Sequence, residues 1–250
     1  MTVKKREIDR MQITTKEMVE KTTQILKEKS IHNPWFSYNP KDFPNDYILE
    51  EDTRFIKTLN HPIIHKKMIW ESTTNYDFHH QFPVPINGNF LKAKYLLLYS
   101  NPGTEKEELS SSTKDELIQC FKLNPNSKLV IPNDNKYWED WYIGELDKFF
   151  VRRKNETSDF ELQTFLDDFC FINLFAYPTS HNTFDFNQKE LDQLHQLPST
   201  LFSKALVEIG IESGKEIIII RRSDGVWKHS IKNDNYLFEK LSSYYHKHRK

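Results

Sequence analysis

Three strand-length runs constrain this chain more than any other feature: Tyr95-Leu96-Leu97-Leu98-Tyr99, Phe169-Cys170-Phe171-Ile172-Asn173-Leu174-Phe175 and Glu216-Ile217-Ile218-Ile219-Ile220. Each is apolar on consecutive rather than alternate residues, so both of its faces need cover, as in the central strands of parallel sheets. Stretches with helical character lie between the runs, which implies crossover connections and helices on both faces of one sheet. The expectation is an α/β fold. Ligands of such sheets bind at the carboxyl edge of the strands. That rule nominates three strand ends: Asn101, residues 173–180, and residues 221–227.

The helices follow from spacing. From Thr14 to Ser30, Met18, Val19, Thr22, Ile25 and Leu26 recur on one side, the pattern of an amphipathic surface helix. Further helices are expected from about Tyr47 to Leu59, from Thr113 to Phe121 with Ser112 or Thr113 as cap, from Lys136 to Arg152, from Ser158 to Asp167, from Ser199 to Ile209 and from Tyr236 to His248. Between the first two, His32 to Asp46 carries Pro34, Pro40 and Pro44 and reads as an irregular segment pinned by Trp35, Phe36 and Tyr38. Gly214 suits a turn into the third strand. Residues 1–80 read as a helical and irregular extension packed on a core of residues 81–250, the whole being one structural domain.

Composition narrows the classes. Hydrophobic residues are 37%, but 18 Phe, 11 Tyr and 5 Trp deliver the apolar volume in large units, so an aromatic-rich core is expected. The 35 basic and 36 acidic residues nearly cancel, so a nucleic-acid partner would have to be met by a local patch. Cys120 and Cys170 are too few for a disulfide framework or a Cys-based zinc site, which fits a reducing compartment. The charged N-terminus lacks an apolar core of signal type, and no apolar run nears the roughly 20 residues of a membrane span. A cytoplasmic protein without a membrane partner is expected. No Gly-x-Gly-x-x-Gly, P-loop or Gly-x-Ser-x-Gly motif occurs.

Two asparagines carry the chemistry. The first strand stops at Ser100-Asn101-Pro102-Gly103, where Pro102-Gly103 suits a type II turn and Asn101 ends a buried strand with its amide directed into a cleft. Asn173 interrupts an apolar strand, and a buried amide without partners costs about 1–3 kcal/mol. Either a backbone group satisfies it or a ligand does, and its donor and acceptor set matches the edge of a nucleobase. His61, His65, His79 and His80 cluster, but only His61 and His65 have helical ligand spacing, with Pro62 between them. Neither a metal nor a cofactor is expected.

The segment Phe82-Pro83-Val84-Pro85-Ile86-Asn87-Gly88-Asn89, followed by Tyr95 to Gly103, resembles the first motif of the uracil-DNA glycosylase superfamily in its mismatch-specific and single-strand-selective branches. The resemblance implies a three-layer αβα sandwich around a short, four-stranded parallel sheet. It also implies hydrolysis of the N-glycosidic bond of a flipped damaged or deaminated base, with DNA or a nucleobase-containing ligand as partner. On it, Asn101 positions the hydrolytic water and Asn173 reads the base. Phe175 or Tyr177 stacks on the base, and Arg221 or His229 meets the charge developing on it. Pro102, Gly103 and Ser180 join the substrate site, and Arg222 and Lys228 meet the nucleic acid. The superfamily's His-Pro-Ser loop has no counterpart here, since His229-Ser230 lacks the proline. That departure supports the other reading, a non-catalytic module of the same fold that binds nucleic acid, a nucleotide or a protein.

Overall fold

The computed structural model describes residues 15–39, 47–56, 68–69, 75–76, 82–102, 109–132, 136, 139–140, 142–144, 146, 166–178, 188–219 and 223–230. The expected helix over residues 236–248 and the histidines His61, His65, His79 and His80 lie outside them. In chain order the elements are α1 (Thr15–Lys29), α2 (Glu50–Ile56), β1 (Met68–Ile69), β2 (Asn75–Tyr76), β3 (Ile86–Gly88), β4 (Tyr95–Tyr99), α3 (Ser111–Phe121), β5 (Phe169–Asn173), α4 (Gln188–Leu194), α5 (Pro198–Ser213), β6 (Glu216–Ile219) and α6 (Asp224–Ser230).

The three apolar runs are β4, β5 and β6, and they pair in parallel with β4 in the middle: Leu98 faces Ile172 on one side and Ile219 on the other. The chain is therefore of the α/β class. The fourth strand corrects the expectation of a wholly parallel sheet. β3 pairs antiparallel with β5, Asn87 opposite Phe171, and the sheet order is β3-β5-β4-β6. Residues 89–94 alone join β3 to β4, too few for the crossover of a dozen or more residues that a parallel strand requires. Gly88 makes this edge strand fit. Its φ is +119°, and a Cβ there would stand 2.6 Å from the Phe169 carbonyl oxygen.

Both faces of the strands are covered. Phe171 shares a face with its register partner Leu97, and Tyr142, from the helical residues around 142–144, packs edge-on against the Phe171 ring at 5.0 Å. Leu96 points the other way. It meets α5 at Gly210, whose missing side chain lets the helix approach the strand. α5 was expected to end before this glycine but runs through it to Ser213, because Gly214 supplies the left-handed cap at φ 88° and its N–H reaches Gly210 and Ile211. α1 lies on the outer side of α5, where Lys29 pairs with Glu208 at 2.5 Å and Glu212 at 2.9 Å.

The aromatic core is present as expected. Trp35, Tyr38, Phe82 and Phe121 meet edge-on or tilted, with Trp35 5.1 Å from Tyr38 and 5.5 Å from Phe121. Phe36 is a correction, being 71% exposed. Asn33 folds the segment into a turn by accepting from the Trp35 N–H, which sends Trp35 inward and its neighbour outward. The cap of α3 also differs: Ser110, not Ser112 or Thr113, accepts the Thr113 N–H at 3.2 Å.

Candidate functional site

The chain leaves β4 for β5 on one side and then returns past β4 to β6 on the other, so the two connections diverge at the carboxyl end of β4. Right-handed crossovers then lie on opposite faces of the sheet. Tyr142 and α5, one from each connection, do flank opposite faces. Such a divergence opens a crevice at the strand ends, the habitual ligand position of open α/β sheets.

Around that point the backbone pairing continues past the strands. The Leu174 and Phe175 N–H groups donate to the carbonyls of Tyr99 and Ser100 at 2.9 and 2.8 Å. Asn101 thus stands beside the Phe175 segment. Its amide is oriented locally, accepting from the Ser100 hydroxyl and donating to the Pro102 carbonyl, both at 2.9 Å. Pro102 is buried beneath it.

α6 follows β6 and is fastened to this same end. The Trp227 indole N–H donates to the Tyr99 carbonyl at 2.9 Å, and Ser223 Oγ accepts from the Ser100 N–H at 2.9 Å. Trp227 is wholly buried. The helix carries Lys228 and His229, both half-buried. The His229 ring lies 5.0 Å from the ring of His195, which lies 5.3 Å from Phe175, so three rings run in series from the end of β5 to α6. His229 Nε2 is 3.2 Å from Asp192 Oδ1 on α4.

Asn173 ends β5 in register with Tyr99. One amide hydrogen goes to the Val84 carbonyl at 2.6 Å, its N–H goes to Pro85 at 2.9 Å, and its carbonyl accepts from the Ser203 hydroxyl at 2.9 Å. The side chain ties β5 to the segment before β3, and only 6% of the residue is exposed. Tyr177 lies in the aromatic core, 1% exposed, its hydroxyl donating to Asp52 Oδ2 at 2.6 Å. Asn101, Pro102, Asn173 and Phe175 are thus brought to one strand edge; His229 connects to it through His195, and Tyr177 lies in the core. Gly103, Ser180, Arg221 and Arg222 lie outside the described residues.

Two residues near this edge, and one that orders α5, escaped the sequence. His195 and Asp192 sit in a stretch without strand or helix signal strong enough to predict α4. Asp52 has a clearer logic. α5 begins with Leu197 as its cap residue, whose side chain has no oxygen to offer, and Asp52 Oδ1 accepts the Ser199 N–H at 3.1 Å in its place. Burial pushes the Asp52 carboxyl above its ordinary range, opposed by the hydrogen bonds from Ser199 and Tyr177. Cys120 and Cys170 are both buried thiols, and burial pushes the Cys120 thiol up to about 11. Among the described residues no group of three or more His, Cys, Asp or Glu could hold a metal, and no helix is long and apolar enough to cross a membrane. No protein-family model matches the chain, and neither a curated protein nor a solved structure matches it.

Proposed function

We propose that the carboxyl edge of β4 and β5 receives an extruded nucleobase and that the protein hydrolyses its N-glycosidic bond, in the manner the resemblance to uracil-DNA glycosylases implies. The observation that supports this reading is the fastening of α6 to Tyr99 and Ser100, together with the series of rings from Phe175 through His195 to His229 on that helix. In the reaction, water held by the Asn101 carboxamide adds to the sugar C1′ as the bond from C1′ to the base nitrogen breaks, and the proton the water loses passes through solvent to the departing base. The base leaves with the bonding electron pair, and His229 donates a hydrogen bond to the charge that develops on it. The Asn101 amide is already directed by Ser100 and Pro102, so little reorganisation is asked of it. Unstacking a base costs a few kcal/mol, least when the base is unpaired or mismatched, so single-stranded or mismatched DNA is the favoured substrate class.

A second reading, binding without turnover, is favoured by His229-Ser230, which lacks the proline of the superfamily's His-Pro-Ser loop. In either reading the Asn173 amide is committed to Val84, so base reading would fall to what remains of the carboxamide and to backbone groups. Incubation of the full chain with uracil-containing single- and double-stranded oligonucleotides, followed by alkaline cleavage at abasic sites, tests both. Strand breaks at uracil, absent from undamaged controls, are expected. No break on uracil, mismatched or deaminated-base substrates removes the enzymatic reading, and retention of those oligonucleotides on the protein would then leave the binding reading standing.

A further inference from the structure

Asp192 and His195 are three residues apart, the separation that brings two side chains to one side of a helical turn. Asp192 belongs to α4 and His195 directly follows its last residue, Leu194. Both reach the same side chain on α6. Asp192 Oδ1 lies 3.2 Å from His229 Nε2, and the His195 ring lies 5.0 Å from the His229 ring with 33° between the planes. His195 is itself fixed: it is 5% exposed and rests on Phe175 at 5.3 Å. The Trp227 and Ser223 side chains tie α6 and the residue before it to the end of β4, but that leaves the imidazole its two side-chain torsions. A carboxylate at one ring nitrogen and a ring against one face restrain both.

We propose that Asp192 and His195 are positioning residues that fix the ring of His229, the carboxylate by hydrogen bonding Nε2 and the imidazole by a tilted ring contact. The functional consequence rests on the glycosylase reading above. On that reading a displaced His229 ring would meet the departing base poorly. Asp192 is about half exposed, so its ion pair by itself contributes little to stability. Its role is orientation.

The test reads the ring before it reads turnover. In full-length protein labelled at histidine, the His229 Cε1–H resonance, assigned by its loss in His229→Gln, is compared in wild type, Asp192→Ala, His195→Ala and His195→Phe. A neighbouring ring shifts that proton, so His195→Ala is expected to move it towards the position of an unstacked histidine while His195→Phe keeps it displaced. Asp192→Ala should broaden or move it. A His229 resonance unchanged in both alanine variants overturns the proposal. His195→Phe fills the same buried site with an aromatic ring and Asp192→Ala is a surface change, so a folding failure of His195→Ala alone leaves two variants that decide. On uracil oligonucleotides, His195→Ala and Asp192→Ala should lower kcat by tenfold or more, on the order that a misplaced group produces, with KM little changed and with recovery in His195→Phe. Turnover undiminished in both alanine variants likewise overturns positioning. If the resonances move as expected while wild type leaves no abasic site, the positioning stands and the glycosylase reading falls.

Discussion

Lys215 is buried at the amino end of β6, its ammonium donating to the Ala93 and Leu91 carbonyls at 2.7 and 3.2 Å and lying 5.5 Å over the Phe90 ring. Burial lowers its pKa from 10.5 to about 8. Between these values the unfolded chain holds a proton that the folded chain has released, so stability rises with pH across that window and is flat below it. Urea unfolding between pH 7.5 and 10.5 should show the rise, and Lys215→Met should remove it. Equal slopes in the two proteins would show that other groups carry the titration. Gly88 makes a second residue-scale prediction. With φ at +119° and a backbone oxygen 2.6 Å from any added Cβ, Gly88→Ala should cost about 2 kcal/mol or more in urea unfolding. A smaller loss would mean that β3 moves freely at the sheet edge.

α5 is the element on which the molecule turns, since it covers one face of β4 and carries α1 on its back. Its N-terminus depends on Asp52 from α2, a partner 147 residues away in the chain. Asp52→Ala removes the cap and leaves the buried Tyr177 hydroxyl without its acceptor, for an expected loss of about 2–4 kcal/mol in urea unfolding. Asp52→Asn keeps an acceptor oxygen and should lose less, so equal losses would contradict the capping role. The sequence could not reveal this pairing, because the failing is written at Leu197 and the remedy lies in another helix. Elements whose order comes from their own residues were legible: the consecutive apolar positions of β4, β5 and β6, and the heptad-like face of α1. β3 was missed because three residues carry no period, and its direction follows from the shortness of the segment before β4. That Asn101, Asn173 and Phe175 lie where β4 and β5 end was legible from strand order, whereas His229 lies beyond the nominated residues 221–227. The partners that orient those side chains were not, since Val84, Asp192 and His195 act through contacts between elements.

Among the described residues the core is a four-stranded mixed sheet flanked by helices, with an aromatic cluster joining the N-terminal segment to it through Trp35, Phe121 and Tyr177. Both cysteines lie inside it, wholly buried, with thiol pKa values raised by burial. A thiol reagent such as a disulfide dye should therefore react with native protein only at the rate of opening, and with both thiols at once in denaturant. Rapid stoichiometric reaction of native protein would contradict this packing. The central claim concerns the carboxyl edge, where Trp227 and Ser223 tie the α6 segment to Tyr99 and Ser100 beside the Asn101-Pro102 turn. Single-turnover cleavage of a uracil-containing single strand by wild type and by Asn101→Ala, with binding measured on the same oligonucleotide, addresses it most directly. The account predicts abasic product from wild type, a rate about a hundredfold lower in Asn101→Ala, and similar binding by the two. Equal rates in the two proteins, or no product from wild type, would contradict it.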